Sequence, residues 1–105
     1  MKFFEHIAEY ERLYRALLGR KGSPWFVMKM RASLVELIKE YEHFPLTQQF
    51  IYPESDGFVR DIVATMFVEA ITWWLEQGRP YTPQEIARRS IFLASAIFKE
   101  TSAWQ

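Results

Sequence analysis

The chain has 105 residues, with 13 lysines and arginines against 13 aspartates and glutamates, so its formal net charge at pH 7 is zero. One compact domain is expected at this length, and the balanced charge argues against a DNA-binding surface, which needs a basic face to neutralise phosphates. The absence of cysteine excludes disulfides and thiolate metal sites and fits a cytoplasmic protein, while the aromatic fraction of 17% indicates a large apolar pocket or an interface.

The first predicted helix covers residues 2–18. Its apolar side chains recur at alternating spacings of four and three, which is one stripe of an amphipathic helix; they are Phe3, Ile7, Tyr10, Tyr14 and Leu17. His6 lies beside this stripe, and Tyr10 and Tyr14 place hydroxyls within it. We therefore predict that His6, Tyr10 and Tyr14 orient a ligand in a mostly apolar cavity. The alternative is a half-exposed histidine beside core tyrosines whose hydroxyls reach the surface.

The second predicted helix covers residues 24–43. Ser23 is a good N-cap and Pro24 suits the first helical position. Met30 lies on its apolar stripe, and Met66 follows on the next helix. Because thioether side chains adapt to irregular ligands, both methionines are candidates for the same cavity; the alternative is an ordinary core position. Residues 45–55 have no clear period and are expected to form a folded-back connector.

The third predicted helix covers residues 54–77 and is apolar on almost every side. Its polar residues form one narrow stripe, consisting of Asp61, Thr65, Glu69, Thr72 and Glu76. The charge-free run 62–68 is far shorter than the roughly 20 residues that cross a bilayer, so no membrane span is predicted. Such a helix must be covered on most of its circumference. Since a chain of this length has few other elements, the pattern predicts a second subunit.

The fourth predicted helix covers residues 83–99 and begins at the capping box Thr82-Pro83-Gln84-Glu85. The fold class is therefore all-α, an antiparallel bundle of about four helices. Small residues on the fourth helix permit close packing, so we predict that the last two helices form an intermolecular four-helix bundle in a homodimer. The interface candidates are Phe67, Ile71, Trp74, Ala87, Ser90, Ile91, Ala94 and Phe98. The alternative is that the first two helices and the connector cover the third helix unaided.

The sequence gives no positive sign of catalysis, of a metal site or of a cofactor. Glu40-x-x-His43 has the spacing of a di-iron helix motif, but that site requires a second such motif and two more glutamates. The four glycines are scattered and form no phosphate-binding loop. No serine has the context of a nucleophile. We therefore expect a protein that is not an enzyme.

Two blocks of sequence resemble a known family. Residues 73–86 read Trp-Trp-Leu-Glu-Gln-Gly-Arg-Pro-Tyr-Thr-Pro-Gln-Glu-Ile, which is similar to the turn between the final two helices of TetR-type transcriptional regulators, in a compact subgroup. Residues 4–7, 13–19 and 22–26 are similar to the start of the same C-terminal domain. The resemblance covers both ends of the chain and leaves the connector unmatched.

The resemblance implies a domain that dimerises and senses a small apolar effector between its first three helices. Regulators of this type carry a helix-turn-helix module ahead of this domain, and nothing of that kind precedes Phe3. DNA binding is therefore expected only through an N-terminal module that this chain lacks. Effector binding would favour one arrangement of the helices and so change the spacing of two DNA readers. The alternative function is a stand-alone helical dimer that acts as a protein-interaction module, without ligand or DNA.

Overall fold

The computed structural model describes residues 2–19, 22–42 and 57–103. They form five helices and, within these ranges, no strand, which confirms the all-α class. The helices are α1 (Lys2–Glu9), α2 (Glu11–Leu18), α3 (Pro24–Glu42), α4 (Gly57–Glu76) and α5 (Pro83–Ser102). The predicted connector 45–55 and the predicted first turn of the third helix, 54–56, lie outside the described residues.

Tyr10 divides the predicted first helix into α1 and α2. Its backbone angles, φ −110° and ψ 38°, leave the helical region. The hydrogen bonds continue across the division, because the Tyr10 amide donates to the His6 carbonyl at 3.2 Å and the Tyr14 amide donates to the Tyr10 carbonyl at 3.1 Å. The apolar stripe therefore keeps its spacing across the break at Tyr10.

The turn after α4 closes with a Schellman motif. The Arg79 amide donates to the Trp74 carbonyl at 2.8 Å, and the Gly78 amide donates to the Leu75 carbonyl at 3.1 Å. Gly78 has a φ of +78°, a left-handed conformation that glycine adopts without steric cost. Glycine at this position therefore ends α4 sharply and sends the chain back towards α5.

Thr82 caps α5 as predicted, since its hydroxyl accepts a hydrogen bond from the Glu85 amide at 3.1 Å. The predicted reciprocal half of the capping box is replaced, because the Glu85 carboxylate instead accepts hydrogen bonds from Arg88 and Arg89. The helix continues to Ser102, three residues beyond the predicted end.

α4 lies at the centre of the bundle and packs most extensively against α3 and α5. It contributes the largest share of the buried core, namely Val59, Val63, Ala64, Phe67, Val68, Ile71, Trp74 and Leu75. The predicted polar stripe of this helix remains at the surface, with Thr72 half-buried. One side of α4 is thus covered by its own chain and the other side is open.

None of the described helices has both the length and the apolar character needed to cross a membrane.

Candidate functional site

Trp74 stabilises the α4–α5 turn from its buried side. Its side chain has no solvent exposure, and its indole Nε1 donates a hydrogen bond to the Tyr81 carbonyl at 2.8 Å. The Phe4 ring meets it edge-on with centroids 5.8 Å apart, and the Arg79 guanidinium lies 5.2 Å from the ring centroid. The hydrogen bond satisfies the only polar atom of a buried tryptophan and ties residue 81 to the end of α4.

Trp73 lies on the opposite, outer side of the same turn and is 42% exposed. Its ring centroid is 6.1 Å from that of Tyr81, and the Arg89 guanidinium lies 4.3 Å from the Tyr81 centroid. These three side chains form a continuous surface that connects the end of α4 with the first turns of α5.

Exposed apolar side chains extend from this point along both helices of the hairpin. On α4 their positions follow helical spacing on one side, and on α5 they lie within two turns after Arg89. We call this set the outer face; it consists of Phe58, Ile62, Trp73, Phe92, Leu93 and Ala96. Apolar surface of this extent on a hairpin that is otherwise packed is typical of an interface.

The charges on this side of the hairpin differ between the two helices. On α5, Arg88 donates to the Glu85 carboxylate at 2.6 and 2.9 Å, and Arg89 donates to it at 3.0 Å. The hydrogen bonds from Arg88 are the main reason that the pKa of the Glu85 carboxyl is lowered from its ordinary value. Two arginines share one carboxylate, which leaves this end of α5 positive.

The exposed charges along the polar stripe of α4 are all acidic: Asp61, Glu69 and Glu76. Within the described ranges, no basic side chain forms an ion pair with any of the three. The hairpin therefore presents an acidic helix beside the positive first turns of α5.

A cleft of about 260 Å³ opens between α2 and the end of α4. Its lining consists of Arg15, Leu18, Gly19, Thr72, Leu75 and Glu76. The Arg15 guanidinium donates to the Leu75 carbonyl, from Nε at 3.1 Å and also from Nη2. A cation at the C-terminal end of a helix stabilises the carbonyls that the helix leaves unpaired. Arg15 therefore joins α2 to the end of α4 and forms one wall of the cleft.

The predicted ligand-binding residues divide into two groups. The ring centroid of His6 lies 4.9 Å from that of Tyr10 and 5.8 Å from that of Tyr14. His6 and Tyr10 are exposed and Tyr14 is half-buried, so this group lies at the surface of α1 and α2. Met30 is buried in the core, and Met66 is half-buried against it. None of the five residues lines the cleft, so their role in ligand binding stays a prediction.

The predicted interface residues also divide into two groups. Six are buried within the single chain, namely Phe67, Ile71, Trp74, Ala87, Ser90 and Ala94. Ile91 is exposed and Phe98 is half-buried. The six buried side chains already pack inside the chain, and the outer face lies on another side of the same two helices.

Sequence reasoning missed Arg15, because its role depends on a contact with a carbonyl 60 residues further along the chain. The only available signal was a basic residue beside an apolar stripe, which is common on any helix surface. Within the described residues, no group of three or more histidines, aspartates and glutamates lies close enough together to hold a metal ion. His43, from the spacing considered above, lies outside those residues.

One comparison with known proteins is informative. A family model described as a transcriptional regulator C-terminal region matches residues 1–95. The matched range begins before α1 and extends into the second half of α5, so it includes the cleft, the α4–α5 turn and most of the outer face. No curated protein and no solved structure matches the chain.

Proposed function

The chain belongs to the family of TetR-type transcriptional regulator C-terminal regions, and from this premise we propose that it is a regulatory domain that forms a homodimer and senses a small effector. The proposed dimer rests on the exposed apolar side chains of the outer face. This face presents four large apolar or aromatic side chains at high exposure, Phe58, Ile62, Phe92 and Leu93, beside Trp73. A second copy of the hairpin would bury these side chains in a self-complementary contact.

Replacing Leu93 with glutamate tests this proposal. Leu93 is 58% exposed in the single chain, so the monomer tolerates the change, whereas a charge buried in the dimer contact without a partner is costly. We expect sedimentation equilibrium at micromolar concentration to give a dimer for the unchanged protein. For Leu93→Glu we expect a monomer of unchanged helical circular dichroism.

Leu13→Glu is the matched control, because Leu13 on α2 is 55% exposed and lies outside the outer face. This variant should dimerise like the unchanged protein. A monomeric unchanged protein would refute the proposed dimer. A dimer that Leu93→Glu leaves intact, or that Leu13→Glu dissociates, would move the contact to another surface.

The effector site that we propose is the cleft between α2 and α4. Its floor carries the buried apolar residues Leu18 and Leu75, and its rim carries Arg15 and Glu76. An apolar molecule with one polar end fits this lining better than a purely apolar one, since orientation in such sites comes from a few polar groups. A ligand bound there would change the contact between Arg15 and the end of α4. Through this contact it would also change the position of the α4–α5 turn.

A thermal-shift screen with small amphipathic molecules tests the cleft. We expect at least one class of compound to raise Tm, because a ligand that binds only the folded protein stabilises it. Thr72→Trp should fill the cleft and abolish the shift. Thr65→Trp is the matched control, since both threonines donate to the carbonyl four residues earlier on α4, but only Thr72 lines the cleft. If no compound in the screen raises Tm, the result favours the alternative, a dimeric protein-interaction module without an effector.

Dimerisation and effector binding would combine into regulation by a population shift. An effector in the cleft favours one arrangement of α2 relative to α4, and the dimer contact holds the two copies in a fixed relation. In a longer protein that carries a DNA-binding module ahead of α1, that shift would change the spacing of the two modules. A ligand achieves this only to the extent that it binds one arrangement more tightly than the other.

A further inference from the structure

We propose that the cleft between α2 and the end of α4 binds a small apolar amino acid, with the ligand's carboxylate on Arg15 and its ammonium group on Glu76. This inference rests on the proposed effector site and names the chemical class of its ligand. Its basis is the chemistry of the two walls of the cleft. The wall from α2 offers hydrogen-bond donors, the wall from α4 offers acceptors, and the floor between them is apolar.

The wall from α2 carries a guanidinium group with unused donors. Arg15 donates from Nε and from Nη2 to the Leu75 carbonyl. A guanidinium has further N–H groups on Nη1 and Nη2, and these form no other hydrogen bond with a described residue. The Glu11 carboxylate lies 4.0 Å from Nε, the atom that already binds the carbonyl. A ligand carboxylate can therefore bind the open Nη donors, whose planar geometry matches that of a carboxylate.

The wall from α4 carries two acceptors about one turn apart. The Thr72 hydroxyl donates its proton to the Val68 carbonyl at 2.9 Å, so its remaining capacity is to accept a hydrogen bond. The Glu76 carboxylate is exposed, and no basic side chain among the described residues pairs with it. The cleft also lies at the C-terminal end of α4, where the helix dipole favours a cation. An ammonium group, which has donors and a positive charge, therefore suits this wall.

Arg15 and Glu76 line the same cleft but form no ion pair with each other. A ligand with a single charge is attracted by one of them and repelled by the other, because an amine faces Arg15 and a carboxylate faces Glu76. A zwitterion meets the opposite charge on both walls. The buried floor, formed by Leu18 and Leu75, then receives an apolar side chain. An apolar amino acid satisfies all three parts of the cleft.

The other charged side chains close to the cleft in sequence belong to α2 and to the turn after it. Glu11 and Arg12 are not part of the lining, and Arg20 and Lys21 lie outside the described residues. Since Glu11 and Arg12 have opposite charges, together they leave the charge balance between the two walls unchanged.

Three ligands with the same skeleton test the inference. They are leucine, 3-methylbutylamine, which lacks the carboxylate of leucine, and 4-methylpentanoate, which lacks its amino group. We expect leucine to bind about tenfold tighter than either analogue, because each analogue loses one ion pair and faces one like charge. Isothermal titration calorimetry on the full chain at low salt gives the three Kd values. Valine and phenylalanine cover smaller and larger side chains, and Thr72→Trp should abolish binding of every amino acid.

Glu76→Gln removes one charge of the site and keeps the size of the side chain. We expect this variant to bind leucine about tenfold more weakly and 4-methylpentanoate more tightly, because the repulsion of a carboxylate is removed. Glu69→Gln is the matched control, since Glu69 is exposed about two turns earlier on α4 and does not line the cleft. It should leave every Kd unchanged. Arg15 is kept in all variants, because its contact with the Leu75 carbonyl joins α2 to α4.

Each outcome decides one question. If no compound of the amphipathic screen, amino acids included, binds in a way that Thr72→Trp abolishes, the proposed effector site and this inference fail together. If other compounds bind in the cleft and amino acids do not, or if either analogue binds as tightly as leucine, the ligand class is wrong and the cleft remains the proposed effector site. Leucine binding that Thr72→Trp leaves intact, or that Glu76→Gln does not change, also overturns the inference. Selective binding of amino acids that Glu76→Gln weakens establishes it.

Discussion

Replacing Trp74 with alanine is expected to lower the free energy of unfolding by about 4 kcal/mol, the range for deletion of a large buried aromatic side chain. Trp74 is fully buried, and its indole hydrogen bond to Tyr81 holds the turn against the end of α4. The substitution leaves a cavity beside Phe4 and removes the ring beneath the Arg79 guanidinium. Urea unfolding followed by circular dichroism at fixed protein concentration measures the change.

Trp73→Ala is the control for this prediction, since it removes the same side chain one position earlier. Trp73 is 42% exposed and its ring contact in the turn is with Tyr81, so we expect the monomer to lose about 1 kcal/mol or less. Because Trp73 also lies in the proposed dimer contact, both variants are compared at a protein concentration at which the dimer dissociates. Equal losses for the two variants would contradict the assignment of Trp74 as the fastening residue. A large loss for Trp73 alone would place the buried ring on the other side of the helix.

The sequence predicted the class of the fold and the chemistry of the α4–α5 turn, because both depend on local pattern. Gly78 and Thr82 could be assigned to the ends of their helices since a left-handed C-cap and a hydroxyl N-cap depend on neighbouring residues only. The division at Tyr10 could not be assigned in this way. The apolar stripe continues through Tyr10 with unchanged spacing, so periodicity alone cannot locate a break in the helix.

The orientation of α5 was harder to predict than its existence. Small residues such as Ala87, Ser90 and Ala94 indicate that another helix approaches closely, but they do not say whether that helix belongs to the same chain. In the structure these three residues are buried within one chain. Conversely, Phe92 and Leu93 lie at the surface, although hydropathy alone would assign both to a core. The choice between these faces depends on the position of α1 and α4, which is tertiary information.

The predicted effector site illustrates the same limit. His6, Tyr10 and Tyr14 do meet, since they are one turn apart on adjacent helices. The cleft, in contrast, is formed by Arg15 and by residues at the far end of α4. The carbonyl that holds Arg15 is a backbone group, and every residue has one, so no sequence pattern distinguishes Leu75 as its acceptor.

A pair of arginine substitutions on α5 separates the buried face of this helix from its outer face. Ala94 is 7% exposed, so Ala94→Arg must bury a long charged side chain in the core. We expect it to lower the free energy of unfolding by about 3 kcal/mol or more. Ala96, two residues later, is exposed on the outer face, and Ala96→Arg should leave the stability of the monomer within about 0.5 kcal/mol of the unchanged value.

The same two variants distinguish the two locations of the dimer contact. If copies meet through the outer face, Ala96→Arg gives a folded monomer, because the new charge is buried at the contact without a partner. If they meet through the surface predicted from the small residues, Ala96→Arg remains a dimer. A monomeric Ala94→Arg of unchanged stability would then show that Ala94 faces the partner subunit, since arginine at a residue buried only within its own chain lowers the free energy of unfolding. Thermal unfolding and sedimentation equilibrium on both proteins separate these cases. A charge placed in the core of the chain lowers the stability of the fold, whereas a charge placed in the dimer contact lowers the measured molecular mass from that of a dimer to that of a monomer.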